Sequence, residues 1–130
     1  MEHYIEVGAG NINLGFRQHL IECLSDTTVY NSYGSTETGG TIYWSSNDSD
    51  KIDSLGKSVC GIKVKCVGSE SPSKLALQGK IQMAGYYKNP DATNSALVDG
   101  WLVTNDLCYF DDDGFVYMVG RADDIINAGG

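Results

Sequence analysis

Several residue types that often reveal a protein's function are scarce in this sequence. Its 130 residues include two His, two Pro and four Cys. No two cysteines form a Cys-x-x-Cys pair, and with only two histidines beside them the spacing does not predict a structural zinc site. Such isolated thiols are typical of a reducing compartment, where most of them fill the core. The cysteines are Cys23, Cys60, Cys66 and Cys108.

Long apolar runs are also missing. No stretch approaches the roughly 20 apolar residues that a membrane-spanning helix needs. The first residues do not have the basic and then apolar pattern of a signal peptide. We therefore expect a cytoplasmic protein without a transmembrane segment.

Basic residues are few. Nine Lys and Arg stand against 17 Asp and Glu, which gives a formal net charge of −8. This balance argues against a nucleic-acid partner and against docking on an anionic membrane, because both need a basic face. It does not argue against a nucleotide, whose site needs only a few local donors and a metal.

The first part of the chain has the pattern of an α/β sheet. Residues 3–10 predict a short buried strand that runs into a Gly-rich turn. Asn11 or Asn13 can then cap a helix, and apolar residues at helical spacing predict an amphipathic helix over 14–24. Residues 27–30 predict a second strand. Strand, helix and strand in this order are typical of α/β structure.

After Gly40 the pattern becomes rich in β-strands. Residues 45–54 predict an exposed loop, residues 91–97 one or two helical turns, and Asp113-Gly114 a tight hairpin turn. We expect a small barrel or bent sheet here, and therefore an α+β chain in which an α/β portion precedes a barrel-like β portion. The predicted strands are 41–44, 58–68, 75–83, 101–104, 107–110 and 115–119.

One polar stretch, Tyr33–Gly40, combines residue types that bind nucleotides. Its hydroxyls and backbone N–H groups suit phosphate oxygens, and Gly34 lets the backbone approach a ligand closely. Glu37 is an oxygen ligand of the kind that Mg²⁺ accepts, and Tyr33 can present a flat face to a purine. Composition alone favours the alternative, an ordinary polar turn between two strands.

Two later stretches carry further candidates. Asp106, at the end of a predicted strand, can accept hydrogen bonds from ribose hydroxyls, or it can bond to its own backbone in a turn. Arg121 suits a phosphate or a ribose because its guanidinium is planar and always charged. The alternative is a surface salt bridge from Arg121 to Asp123 or Asp124.

Taken in order, these motifs resemble the adenylate-forming, or AMP-binding, superfamily of acyl-CoA synthetases, peptide-synthetase adenylation domains and luciferases. The resemblance covers nearly the whole chain. One departure is Asn105, which stands where the family usually has Gly; we expect the turn to survive because Asn tolerates positive φ. The motifs that carry the resemblance are Gly8–Gly10, Tyr33–Glu37, Gly79–Met83, Gly85–Pro90, Gly100–Asp106 and Gly114–Asp124.

The resemblance implies a role for each matching residue. Thr36 would contact the ATP phosphates and Glu37 would ligate Mg²⁺, so that these two residues would be catalytic. Tyr33 would stack on adenine, Asp106 would bind the ribose hydroxyls, and Asp123 would be the hinge of a C-terminal lid. The residues implied in nucleotide and acyl binding are Gly8, Ala9, Gly10, Ser32, Tyr33, Gly34, Thr36, Asp106, Met118 and Arg121.

The implied reaction is that of an AMP-forming acid–thiol ligase. A small carboxylic acid would attack ATP, with Mg²⁺ neutralising charge, and the acyl-adenylate would pass its acyl group to CoA. Two alternatives stay open: an adenylation module that loads a carrier protein, and a non-catalytic β-rich binding domain.

The resemblance also implies how the chain is divided. Residues 1–46 would end a large α/β subdomain, 47–122 would form the small barrel, and 123–130 would begin the lid. The family's phosphate loop and its lid with a catalytic lysine do not occur in the sequence. We therefore expect an internal fragment with little or no turnover, whose sheet edges leave a homodimer open.

Overall fold

The first sheet contains four strands that neighbour one another in chain order. The computed structural model describes residues 3–8 and 12–124. β1 (His3–Val7) pairs parallel with β2 (Thr27–Ser35), and α1 (Leu14–Cys23) lies between them in the chain. β3 (Gly39–Ser45) and β4 (Lys57–Ser58) continue the sheet with antiparallel pairing. The predicted strand–helix–strand unit is confirmed.

Helix α1 begins after one of the two predicted cap residues, but the residue that it buries is not one of the apolar residues that predicted it. Asn13 is the N-cap, and its side chain accepts a hydrogen bond from the N–H of Phe16 at 2.8 Å. The apolar Leu14 and Phe16 are exposed, whereas Arg17 is buried. Its guanidinium donates to the carbonyls of Ile52 and Ser54 at 2.7 and 2.6 Å. Arg17 therefore ties α1 to the segment that leads into β4.

Strand β1 is an edge strand, and the prediction that it is buried is wrong. Tyr4 is 74% exposed and Ile5 is 40% exposed. β1 pairs with β2 alone, and within the described residues nothing covers its two faces enough to bury them. The apolar character of a strand predicts burial only where a second layer is present.

The second sheet is built around one long strand. β8 (Trp101–Phe110) pairs on one side with β6 (Ser73–Gln78), which in turn pairs with β5 (Lys63–Val67). On its other side it pairs with β7 (Leu97–Val98) and β9 (Val116–Arg121). The sequence predicted two short strands around a turn here. Instead Asn105 lies within β8, without positive φ. The pairing of β8 is irregular at two places: its register with β6 shifts between Val103 and Leu107, and its register with β9 shifts at Leu107/Cys108.

The short helical elements follow local capping signals. α2 (Pro90–Ala96) begins after Asn89, whose side chain accepts the N–H of Ala92 at 3.1 Å. Residues predicted as a loop contain a 3₁₀ helix, Ser46–Lys51, and a second 3₁₀ helix covers Ala122–Asp124. The first 3₁₀ helix is connected to β3 by a hydrogen bond, which the indole of Trp44 donates to the carbonyl of Asp48 at 3.1 Å. No helix among the described residues has the length and apolar character needed to cross a membrane.

Both sheets contribute to one core. Ile42 of the first sheet packs with buried residues of the second, and the cluster consists of Ile42, Leu75, Leu77, Cys108 and Val116. Cys66 packs against this cluster, whereas Cys23 and Cys60 are exposed. The backbone also joins the sheets: the N–H of Leu55 donates to the carbonyl of Val116 at 2.7 Å. The α+β class and the curled second sheet agree with the prediction.

Candidate nucleotide site

A cavity of about 560 Å³ lies where the turn after β2 faces the second sheet. Its wall combines hydroxyls, two carboxylates and two cationic side chains, so it is suited to a polar ligand. Three of the predicted site residues, Glu37, Asp106 and Arg121, line it together. The lining residues are Ser35, Glu37, Thr38, Lys74, Tyr86, Ala92, Ser95, Ala96, Leu102, Val103, Thr104, Asn105, Asp106 and Arg121.

The turn between β2 and β3 is organised by the hydroxyl of Ser35. This oxygen accepts the N–H groups of Glu37 and Thr38 at 3.2 and 3.3 Å, while the N–H of Ser35 donates to Oγ1 of Thr38 at 2.7 Å. Gly34 is required because a Cβ there would lie 1.9 Å from the carbonyl oxygen of Gly39. The turn therefore presents its polar side chains from a fixed backbone.

The carboxylate of Glu37 is held by two hydroxyl groups. Ser35 donates to Oε2 at 2.9 Å and Tyr86 donates to Oε1 at 3.1 Å. The pKa of Glu37 is lowered, first by the Ser35 hydroxyl and then by its own backbone N–H and the Tyr86 hydroxyl. Glu37 is consequently ionised at neutral pH, as a ligand of a hard cation must be.

Asp106 receives its main contact from the other sheet. The hydroxyl of Tyr33 donates to Oδ2 of Asp106, and the N–H of Asp106 donates to Oγ1 of Thr104 at 3.1 Å. The pKa of Tyr33 is raised, first by burial and then by the hydrogen bond to Asp106. The phenol is therefore a fixed donor at neutral pH. Tyr33 is not among the residues that line the cavity, but its hydroxyl contacts one of them, Asp106.

Arg121 lines the cavity and lies between two carboxylates. Its Nε is 4.0 Å from Oδ1 of Asp106, and its Nη2 is 3.6 Å from Oδ2 of Asp123. Asn105 donates to the same Asp123 oxygen at 2.9 Å and accepts from Lys74 at 3.0 Å. The Arg121 side chain is 54% exposed, so these ion pairs contribute little stability and leave the guanidinium accessible.

Other predicted residues lie apart from this cavity. Thr36 is exposed on the same turn but is not among the residues that line it. Met118 borders a separate cavity of about 260 Å³ beside α1. Ser32 and Gly34 border a shallow cavity with Gly39, Gly40 and Tyr43. A Cβ on Gly8 would meet Oγ of Ser32 at 2.6 Å, so Gly8 packs beside Ser32. Ala9 and Gly10 fall outside the described residues.

Sequence reasoning gave no site role to Tyr86 and Lys74, two polar residues of the cavity wall. Tyr86 was interpreted as a packing residue, yet it is 40% exposed and its hydroxyl contacts Glu37. Lys74 gave no signal, because an isolated Lys in a strand is usually solvated. Tyr86 does lie within the Gly85–Pro90 motif, and that was the available clue.

The site contains acidic groups suited to Mg²⁺ without a complete protein cage. Among residues 3–8 and 12–124 no group of three or more His, Cys, Asp or Glu side chains could hold a metal ion. Mg²⁺ is usually bound by one or two carboxylates together with substrate phosphates and water. Glu37, ionised and beside two further hydroxyl-bearing residues, fits that limited requirement.

Comparisons with known proteins identify the class. No protein-family model matches the chain. A 2-succinylbenzoate–CoA ligase of Bacillus cytotoxicus is 39% identical over 110 residues, which are 78% of this chain and 23% of that protein. The chain thus spans about a quarter of the length of this relative.

Solved structures give the same result for the fold. The O-succinylbenzoate Coenzyme A synthetase (MenE) of Bacillus subtilis in complex with AMP superposes with a TM-score of 0.87 and 29% identity, over 98% of this chain and 28% of the enzyme. The same enzyme in complex with ATP and magnesium ion gives a TM-score of 0.84 and 28% identity, over the same shares. The chain is therefore homologous to a part of the adenylate-forming enzymes. Within that class, the relatives it matches here are acid–CoA ligases.

Proposed function

We propose that the complete protein is an AMP-forming acid–CoA ligase. It would join a carboxylic acid to ATP, release pyrophosphate, and transfer the acyl group from the adenylate to CoA. The observation that carries the proposal is the cavity in which ionised Glu37, Asp106 and Arg121 meet, in a chain whose relatives are named as CoA ligases. A cytoplasmic location, a homodimer and the domain division at 46 and 122 stay predictions.

Asp106, Tyr33 and Arg121 would bind the nucleoside end of ATP. Asp106 lines the cavity and can accept a ribose hydroxyl, and the accessible guanidinium of Arg121 can donate to the ribose or to a phosphate. Tyr33 does not itself line this cavity, but it contacts Asp106, and its ring would lie against adenine. Met118, Gly8 and Ser32 lie outside this cavity and would border neighbouring parts of the substrate.

The turn after β2 would bind the phosphates. Thr36 is exposed there and can donate to a phosphate oxygen, and Glu37 would ligate Mg²⁺. When bound, Mg²⁺ supplies positive charge that neutralises the phosphate oxygens as negative charge develops. The chain's own part is to hold the Glu37 carboxylate ionised and oriented through Ser35 and Tyr86.

The second step would use the segment around Asp123. This residue lies exposed in the short 3₁₀ helix that follows β9, a position able to absorb a backbone rotation. The acid is best sought first as 2-succinylbenzoate, since that substrate is named for the relatives. A carrier protein in place of CoA is the alternative acceptor.

ATP–pyrophosphate exchange by the complete protein tests this proposal. We expect exchange that depends on an added carboxylic acid and stops when magnesium is chelated. Glu37→Gln should lower the exchange rate about 100-fold, as loss of one electrostatic contact at a reacting phosphate does. Asp112→Asn, in the exposed hairpin turn away from the cavity, is the control and should exchange at the normal rate.

Two results would count against the proposal. Normal exchange by both Glu37→Gln and Asp106→Asn would show that the site is wrongly assigned. Absence of exchange with every acid tried, while the folded protein is intact by circular dichroism, would favour the non-catalytic alternative. The two possible acceptors are distinguished by measuring whether the acyl group is transferred to CoA or only to a carrier protein.

A further inference from the structure

The contact between Tyr33 and Asp106 joins two strands that are 73 residues apart in sequence. Tyr33 lies on β2 of the first sheet and packs against the shared core, while Asp106 lies on β8 of the second. The Asp106 side chain is 20% exposed, so its carboxylate is largely removed from water. A hydrogen bond between an ionised acceptor and a buried donor is stronger than one between neutral groups.

The two oxygens of Asp106 are in different situations. Oδ2 accepts the Tyr33 hydroxyl. Oδ1 is 4.0 Å from Nε of Arg121, which is too far for a hydrogen bond, and so it can still accept from a ligand. The backbone of Asp106 is held separately, because its N–H donates to Thr104. Rotation of the carboxylate about its terminal torsion is the freedom that the Tyr33 contact removes.

We propose that the hydroxyl of Tyr33 is a positioning group, which fixes the Asp106 carboxylate so that Oδ1 faces the cavity and accepts the ribose hydroxyls of the nucleotide. The inference rests on the function proposed above. It assigns the Tyr33 hydroxyl a task separate from that of its ring. A carboxylate that is already oriented loses less rotational entropy when the nucleotide binds, and this improves affinity.

Tyr33→Phe in the complete protein separates the two tasks, because it keeps the ring and removes the hydroxyl. The measurement is the ratio of kcat/KM for ATP to kcat/KM for 3′-deoxy-ATP and for 2′-deoxy-ATP in pyrophosphate exchange. We expect Tyr33→Phe to raise the KM for ATP and to lower at least one of these ratios about tenfold, the scale of one hydrogen bond to a charged group. The KM for the acid should change little.

Tyr117→Phe is the matched control. Tyr117 also donates its hydroxyl to an aspartate, Oδ2 of Asp111 at 3.2 Å, but Asp111, unlike Asp106, does not line the cavity. Its removal should leave both nucleotide ratios at the wild-type value. A merely structural role of Tyr33 would change the amount of folded protein, which cancels in a ratio measured on one sample.

The outcomes separate this inference from the proposed function. If Asp106→Asn loses ribose discrimination and Tyr33→Phe keeps it, the positioning role is wrong and the nucleotide site stands. If Asp106→Asn keeps discrimination, both the positioning role of Tyr33 and the assignment of the nucleotide site are wrong.

Should Tyr33→Phe fail to fold, 3-fluorotyrosine at position 33 keeps the hydroxyl and changes its acidity. It should shift the ratios, whereas 3-fluorotyrosine at position 117 should not, and unchanged ratios at 33 would overturn the inference.

Discussion

The ammonium of Lys51 lies 2.8 Å from Oδ2 of Asp111, and this contact ties the first 3₁₀ helix to the turn between β8 and β9. Lys51 also reaches Oδ2 of Asp113 at 2.8 Å. The hydrogen bond from Lys51 is the main reason that the pKa of Asp111 is lowered to about 2, with smaller contributions from the N–H of Phe115 and the hydroxyl of Tyr117. A carboxyl with a lowered pKa makes folding dependent on pH.

We predict that Asp111→Asn removes stability at pH 5 and much less at pH 2. The Asp111 contribution is fully present above its ordinary pKa of 3.8, and it is lost as the pH falls towards about 2, because the folded state then has to take up the proton as well. Urea denaturation of both proteins at several pH values measures the difference in the free energy of unfolding. Asp112→Asn, in the same turn, is the control; a difference for Asp111→Asn that is independent of pH would contradict the prediction.

Gly56 and Gly61 allow a test of how much a close contact with neighbouring backbone contributes to stability, because the two glycines have similar φ. Both have positive φ, +99° and +84°. A Cβ on Gly56 would lie 1.8 Å from the carbonyl oxygen of Tyr43, whereas nothing lies within 4 Å of a Cβ on Gly61. Gly61→Ala should therefore cost only the conformational penalty, about 1–2 kcal/mol. Gly56→Ala should cost about 1–3 kcal/mol more, since backbone must move.

Thermal or urea unfolding of the two glycine variants gives the comparison directly. Gly56 also bridges to Val116, so a displaced backbone there disturbs the contact between the two sheets. Equal destabilisation by the two substitutions would show that the close approach to Tyr43 has no energetic importance.

Tyr86→Phe is expected to raise the pKa of Glu37. The Tyr86 hydroxyl donates to Oε1 of Glu37 at 3.1 Å, and a donor to the ionised form of a carboxyl lowers its pKa. The shift should be smaller than that from Ser35→Ala, because the Ser35 hydroxyl is the largest cause of the lowered value. Carbon-detected NMR titration of the Glu37 carboxyl measures both.

Tyr87→Phe is the control for that experiment. Tyr87 is the adjacent tyrosine, but it is 87% exposed. The carboxyl of Glu37 should titrate in this variant as it does in the wild type. A change of the same size in both tyrosine variants would mean that the 3.1 Å contact does not hold in solution.

Local chemistry in the sequence was enough to predict several elements. Asn13 marks the start of a helix and Asp113-Gly114 marks the hairpin, because each satisfies backbone groups within a few residues. The exposure of β1 and the burial of Arg17 depend on partners distant in sequence. No local pattern reports whether a second layer covers a strand.

The site was predictable to a similar extent. Glu37, Asp106 and Arg121 do meet at one cavity, although their roles in nucleotide binding stay predictions. The contact from Tyr33 to Asp106 could not be read from the sequence, since it depends on how the first sheet packs on the second. Tyr86 was missed for the same reason, because the segment after β6 has to fold back onto the turn before the hydroxyl can reach Glu37.

The wall of the cavity comes from both sheets, and this has a thermodynamic consequence. A molecule that touches Glu37 on one side and Asp106 on the other acts as a removable cross-link between them. Occupancy at 100 times the dissociation constant would add about 2.7 kcal/mol to the free energy of unfolding. Because the ligand would contact both sheets, it would stabilise both against unfolding. Saturating ligand should therefore make the two sheets unfold in one transition, including under conditions where one sheet of the ligand-free protein unfolds before the other.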